Sequence, residues 1–128
     1  MKIDVSVGEV VDKITILKIK QEKIKNKAKL QHIETELLLL SDALKEGAVE
    51  VPKEYIEQLK EVNEKLWDTE DVIRLKEKNK DFDETFVQHA RLDAKLNDQR
   101  FLIKNKINNH CDSLVKEQKS YEGLYTAD

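Results

Sequence analysis

Apolar residues recur every three or four positions along most of this chain, the period of helices that pack through one face. Val7, Val10, Ile14, Leu17 and Ile24 mark a first stripe, and Ser6 and Glu9 stand at capping-box spacing just before it. Together they predict a helix over residues 7–25, with Val5 and Val10 placed to staple its entry. Residues 3–7 alternate apolar and polar and read as an extended lead-in. Leu30, Ile33, Leu37, Leu40 and Leu44 form a seam for a second helix over residues 28–45, closed by Gly47. Residues 47–51 are the clearest loop. Pro52 suits the first position of a third helix, whose seam is Tyr55, Leu59, Val62, Leu66 and Ile73. The charged stretch 76–80 ends it. Asp81 and Glu84 form a second capping pair, and a fourth, longest helix follows over residues 82–117.

The expected architecture is therefore all-α, a mainly antiparallel bundle of about four helices with a short extended N-terminus. Residues 1–120 form one helical domain. Residues 121–128 form a tail that Tyr121 and Tyr125 dock against the bundle. Composition agrees: three Gly and one Pro interrupt 128 residues, and 5% of them are aromatic. Helix formers dominate such a chain.

Charge narrows the classes of function. Charged residues make up 38% of the chain, yet the net charge is −3, so no global basic field holds nucleic acid. The longest apolar run, Leu37 to Leu40, is far short of a membrane span. The single cysteine, Cys111, permits no intramolecular disulfide and no Cys-based zinc site. These features predict a cytoplasmic protein that binds neither nucleic acid nor membrane. Residues 10–29 are lysine-rich and residues 41–71 are acidic. That segregation predicts complementary pairing of the first and third helices, within one chain or across a homodimer. The stripe Lys20, Lys23, Lys27 reads as a solvated face, having no interleaved aromatic residues.

Few constellations carry chemistry. His89 and Asp93 are spaced to share a metal but lack further ligands, so no metal is expected. His110 and Cys111 have no visible base or anion-stabilising group to make a nucleophile. Glu54, Glu57, Glu61 and Glu64 supply the first half of the magnesium motif of helical nucleotide pyrophosphohydrolases, but no Glu-x-x-Asp follows to complete it. No cofactor is expected.

The fourth helix is the most informative. Leu92, Leu96, Ile103, Ile107 and Leu114 form one apolar arc, and Val87, Ala90, Ala94 and Phe101 a second. Between them runs a polar stripe of Asp93, Asn97, Arg100 and Lys104. A helix that is apolar on both sides of a polar stripe buries part of it, and buried charges must be paired. The first helix repeats the design: Val11 and Ile14 on one side, and Ile16 and Ile19 on the other, flank Thr15, Lys18 and Glu22. If the two stripes face each other, three outcomes are open. They form an internal salt-bridge network, or a cleft for an anionic small molecule, or one stripe stays exposed. In the cleft, Arg100, Lys18 and Lys104 would supply charge, and Thr15 and Asn97 hydrogen bonds. Arginine is scarce, at Arg74, Arg91 and Arg100 only, and of these Arg100 is the one on an inward face.

The segment Val7-Gly8-Glu9-Val10-Val11-Asp12-Lys13-Ile14-Thr15-Ile16-Leu17-Lys18-Ile19-Lys20 resembles the opening motif of a small family of uncharacterised bacterial and phage proteins. The stretch from Ala90 to Asp98, with Ile103 and Lys104, resembles that family's later motif. The resemblance covers most of the chain and implies a compact helical domain of unknown activity. The helical chorismate mutases are more distant. They set cations from long helices around a dicarboxylate, for which one inward arginine is a thin supply. Two functions stay in play. The leading one is a non-catalytic helical interaction protein that self-associates, and the alternative is a binding protein or enzyme using the cleft for an anionic metabolite.

Overall fold

The computed structural model describes residues 1–120. Within them lie four helices and no strand: α1 (Val7–Lys23), α2 (Lys27–Glu46), α3 (Lys53–Lys78) and α4 (Glu84–His110). The all-α bundle expected from periodicity is present. The tail expected over residues 121–128 lies outside the described residues.

The capping chemistry places each start. The Glu9 N–H donates to Ser6 Oγ at 3.1 Å, opening α1 where the sequence marks it. Asn26 caps α2, its Oδ1 accepting from the Lys29 N–H. The cap of α4 is Asp83 rather than Asp81: its Oδ1 accepts from the Phe86 N–H, and the helix starts two residues later than expected.

The ends share a device. In α2, α3 and α4 the residue after the C-cap is left-handed: Ala48 at φ 51°, Lys80 at φ 52° and Asp112 at φ 52°. The next N–H then reaches back to the helix, Val49 to the Leu44 carbonyl, Asp81 to Lys76 and Ser113 to Asn108. These are Schellman closures, and none uses glycine at the left-handed position. Gly47, expected as the terminator of α2, sits one residue earlier with ordinary φ −78°. The same closure stops α4 at His110, seven residues before the expected end. Residues 111–120 instead run back as an irregular strap. Ser113 is the hinge of its docking: Ser113 Oγ accepts from the Val7 N–H at 3.2 Å and donates to the Val115 carbonyl.

The packing is less symmetric than four equal helices. α1 lies against the other three helices, α3 and α4 pair along much of their length, and the backbone of α2 comes close to α1 alone. The core proper lies between α1, α3 and α4, around Val11, Leu59, Leu66, Leu96, Ile103 and Ile107. In α2 only Ile33 is fully buried, and its seam leucines are half covered. Gly8 allows α1 to approach α4 closely: a Cβ there would lie 2.6 Å from the Lys104 carbonyl oxygen and 2.9 Å from Asn108 Oδ1.

Candidate functional site

The inner line of α1 is Gly8, Asp12, Thr15 and Ile19, all buried. Its centre is Asp12, 1% exposed. A buried carboxylate needs an ion partner and further hydrogen bonds, and Asp12 has both. Arg100 on α4 grips it as a fork, Nε to Oδ1 at 2.9 Å and Nη2 to Oδ2 at 2.5 Å. Asn63 on α3 donates through Nδ2 to Asp12 Oδ1 and to Thr15 Oγ1, each at 2.9 Å. Thr15 Oγ1 donates in turn to the Asp12 carbonyl at 2.7 Å. The hydrogen bonds from the guanidinium to Asp12 outweigh its burial and raise the Arg100 pKa.

The network continues along α4. Arg100 Nη1 makes a long 3.4 Å hydrogen bond to Asn97 Oδ1, and Asn97 Nδ2 donates to the Asp93 carbonyl. Asp93 also faces Glu70 on α3. Burial, reinforced by the Asp93 carboxylate, pushes the Glu70 pKa up, with Arg74 opposing. Asp93 Oδ1 and Asn108 Nδ2 are the buried side-chain polar atoms without a hydrogen-bond partner among the described residues.

Lys104 forms a second cluster one turn on. It is 6% exposed, and its Nζ lies 2.8 Å from Glu9 Oε2 and 2.9 Å from Glu117 Oε1. Burial works against its charge, but the hydrogen bonds to these two carboxylates prevail and its pKa rises. Glu117 belongs to the strap. Burial pushes its pKa up, but the Lys104 hydrogen bond and charge hold it down on balance. Lys119 Nζ lies 3.7 Å from Glu117 Oε2 and 5.8 Å above the Phe101 ring. A polar recess of about 250 Å³ opens here, lined by Glu9, Asn97, Arg100, Phe101, Lys104 and Glu117.

A family model described as a family of unknown function (DUF6165) matches residues 1–127. The chain belongs to this family. No curated protein and no solved structure matches it.

Of the candidate residues, the fold joins Thr15, Asp93, Asn97 and Arg100 in one network and sets Lys104 beside it. Lys18 and Glu22 are elsewhere. Lys18 is exposed, and Glu22 meets Lys60 of α3 at 2.9 Å near the far end of α1. On the helical wheel Lys18 lies about 60° from Thr15 on the side opposite Asp12, outside the buried line. Sequence reasoning missed Asp12, Asn63, Glu9 and Glu117. Asn63 follows Leu59 by four and precedes Leu66 by three, which places it on the seam. Asp12 shares the face of Thr15 at spacing three. No pattern pointed to Glu117, because it was expected on the helix and the strap brings it back.

The expected pairing of basic α1 with acidic α3 amounts to Lys23 and Asp68 at 3.9 Å, beside the reversed pair Glu22 and Lys60. The Cys111 Sγ is 3.7 Å from the Glu50 carbonyl, and burial raises its pKa, the opposite of an activated thiol. His89 is tied to the Thr85 carbonyl, and His110 packs edge-on against Tyr55. Among the described residues, no three His, Cys, Asp or Glu side chains group as metal ligands. No helix there is long and apolar enough to cross a membrane.

Proposed function

We propose that this protein is a non-catalytic helical interaction module that self-associates through the outer end of its α3–α4 hairpin. The observation that carries this reading is the length mismatch between helices. α1 has 17 residues and α3 has 26. At 1.5 Å per residue, α3 is longer by about 14 Å. The ion pairs from α1 reach α3 no farther than Asp68 among the described residues, and the backbone of α2 lies against α1, with Leu44 near its C-terminal end packed on the core.

Beyond Asp68 two helices stand without a third. There Leu75 is 60% exposed, Phe82 56%, Val87 43% and Leu92 41%. A second copy of the same hairpin end would complete a four-helix arrangement over these side chains. Both signs of charge stand around them, Asp71, Arg74, Glu77 and Lys78 on α3 and Glu84 and Arg91 on α4. A two-fold interface sets such a mixed surface against itself with acid facing base.

Eight half-exposed apolar side chains, at roughly 1.5–3 kcal/mol for burying each in full, yield on the order of 10 kcal/mol. Association itself costs about 4–15 kcal/mol, so the dimer is expected to be concentration-dependent. The reading places the protein in the cytoplasm, where Cys111 stays reduced. Sedimentation equilibrium at micromolar concentration tests it. The wild type should be dimeric, and Leu75→Glu with Phe82→Glu monomeric at unchanged helicity. A monomeric wild type would end the proposal.

A further inference from the structure

The alternating lead-in before α1 is a segment whose polar groups find no partner in the chain. Residues 1–6 carry no helix, turn or bend, and residues 1–5 are all exposed. Among the described residues, residues 1–5 make no hydrogen bond and no ion pair within the chain. Their backbone N–H and C=O groups are therefore open to a strand from outside. The root of the segment is fixed, because Ser6 is buried and caps α1, and the Val7 N–H donates to Ser113 Oγ. Beside that root lies a recess of about 380 Å³ whose lining includes Val5, Val7, Cys111, Leu114 and Val115. Met1, Ile3, Val5, Leu114 and Val115 are all exposed. They form an apolar patch at the end of α4 away from the hairpin.

We infer that residues 1–5 are a docking strand for residues 1–5 of a second copy, the two pairing antiparallel about Ile3. Charge and pattern select that arrangement. In a strand Met1, Ile3 and Val5 share one face, and Lys2 and Asp4 the other. Centring the pair on Ile3 sets Lys2 across from the partner's Asp4 and Asp4 across from the partner's Lys2. One face then holds two opposite-charge pairs. The other holds six apolar side chains, with Val5 across from the partner's Met1. A slip of one residue sets apolar positions against polar ones. Centring on Lys2 or on Asp4 sets like charges face to face, and so does a parallel pair in register. Because Val5 lines the recess, the partner's Met1 arrives at its mouth, where a flexible thioether side chain suits an irregular apolar gap. This contact is independent of the hairpin contact and lies at the opposite end of α4, so with both in place copies join end to end. A two-stranded ribbon this short is marginal, so it forms only at higher protein concentration than the hairpin dimer.

The test uses the full chain carrying Leu75→Glu and Phe82→Glu, which removes the hairpin contact and leaves the N-terminal one. Sedimentation velocity is followed up to about 1 mM, with isotope-filtered NOEs on mixed labelled and unlabelled protein. This variant should pass from monomer to dimer over that range, with NOEs joining Lys2 to Asp4 between copies. Adding Lys2→Glu or Asp4→Lys should each weaken the dimer about tenfold. Combining the two should restore it, because both pairs are rebuilt with exchanged signs. Asp4→Lys also makes the chain less negative, so general repulsion alone would tighten association in that variant. A monomer at every concentration, an Asp4→Lys dimer as tight as its parent or tighter, or no recovery in the combined variant would each overturn the assignment. Failure of the hairpin reading would show differently, as a wild type that is monomeric at micromolar concentration while these N-terminal results hold.

Discussion

At the scale of single residues, the most deeply buried charge in this bundle is one that its neighbours satisfy. Asp12 is 1% exposed and Arg100 is its ion partner. Arg100→Met leaves the Asp12 carboxylate buried without its counter-charge and should cost about 3–5 kcal/mol, while Asp12→Asn leaves the part-exposed Arg100 able to reach water and should cost less, both read from urea denaturation midpoints at unchanged slope. Glu70 behaves in the opposite sense, because burial and Asp93 raise its pKa in the folded state above the ordinary 4.5. Between those two values the folded chain binds more protons than the unfolded chain, so stability falls as pH rises through the window. Glu70→Gln should therefore raise the melting temperature at pH 7, and the gain should vanish below the ordinary carboxylate pKa. The polar stripe on α4 was legible because apolar residues flank it on both sides. Lys18 and Glu22 were not separable from Thr15 by periodicity, since which side of α1 meets α4 is fixed by the crossing of two helices. Asp12 was legible only in part: its spacing from Thr15 shows a shared face, but nothing local shows that the face is sealed.

Among the elements, starts were easier to read than ends. Ser6 places α1 because a side-chain oxygen at that position satisfies a free N–H. The ends rest on Ala48, Lys80 and Asp112 in left-handed geometry, which side chains other than glycine resist by roughly 1–2 kcal/mol. An aspartate inside a helical pattern does not by itself mark a left-handed stop, and so α4 was expected to run past Asp112 to residue 117. The same observation predicts that Lys80→Gly stabilises the protein. The relief is partly offset by the greater backbone freedom of glycine when unfolded, leaving a net gain of about 0.5–1 kcal/mol. A higher urea midpoint is the check. Lys80 is exposed, so no packing is lost with its side chain.

For the whole molecule, periodicity gave the helix count and class, but not the partner of each helix. The backbone of α2 comes close to α1 alone, and its half-covered leucines carry less burial than the seams of α1, α3 and α4. Regions with few buried apolar contacts open first. Amide hydrogen exchange should show α2 exchanging as a unit, faster than the α1, α3 and α4 amides that surround Val11 and Leu59. One feature of the interior also bears on how the molecule finds a single arrangement. The apolar side chains of α1 are interchangeable in kind, so a shift of that helix along α4 by one turn, about 5.4 Å, would still set valine, isoleucine or leucine against the core. It would also set Gly8 or Thr15 before the guanidinium, and neither carries a counter-charge. Oil alone would let α1 come to rest at several stations. The sealed carboxylate fits only one of them, much as a keyed plug fits one socket, and by the same token aliphatic exchanges along that seam are free to accumulate without letting the helix drift.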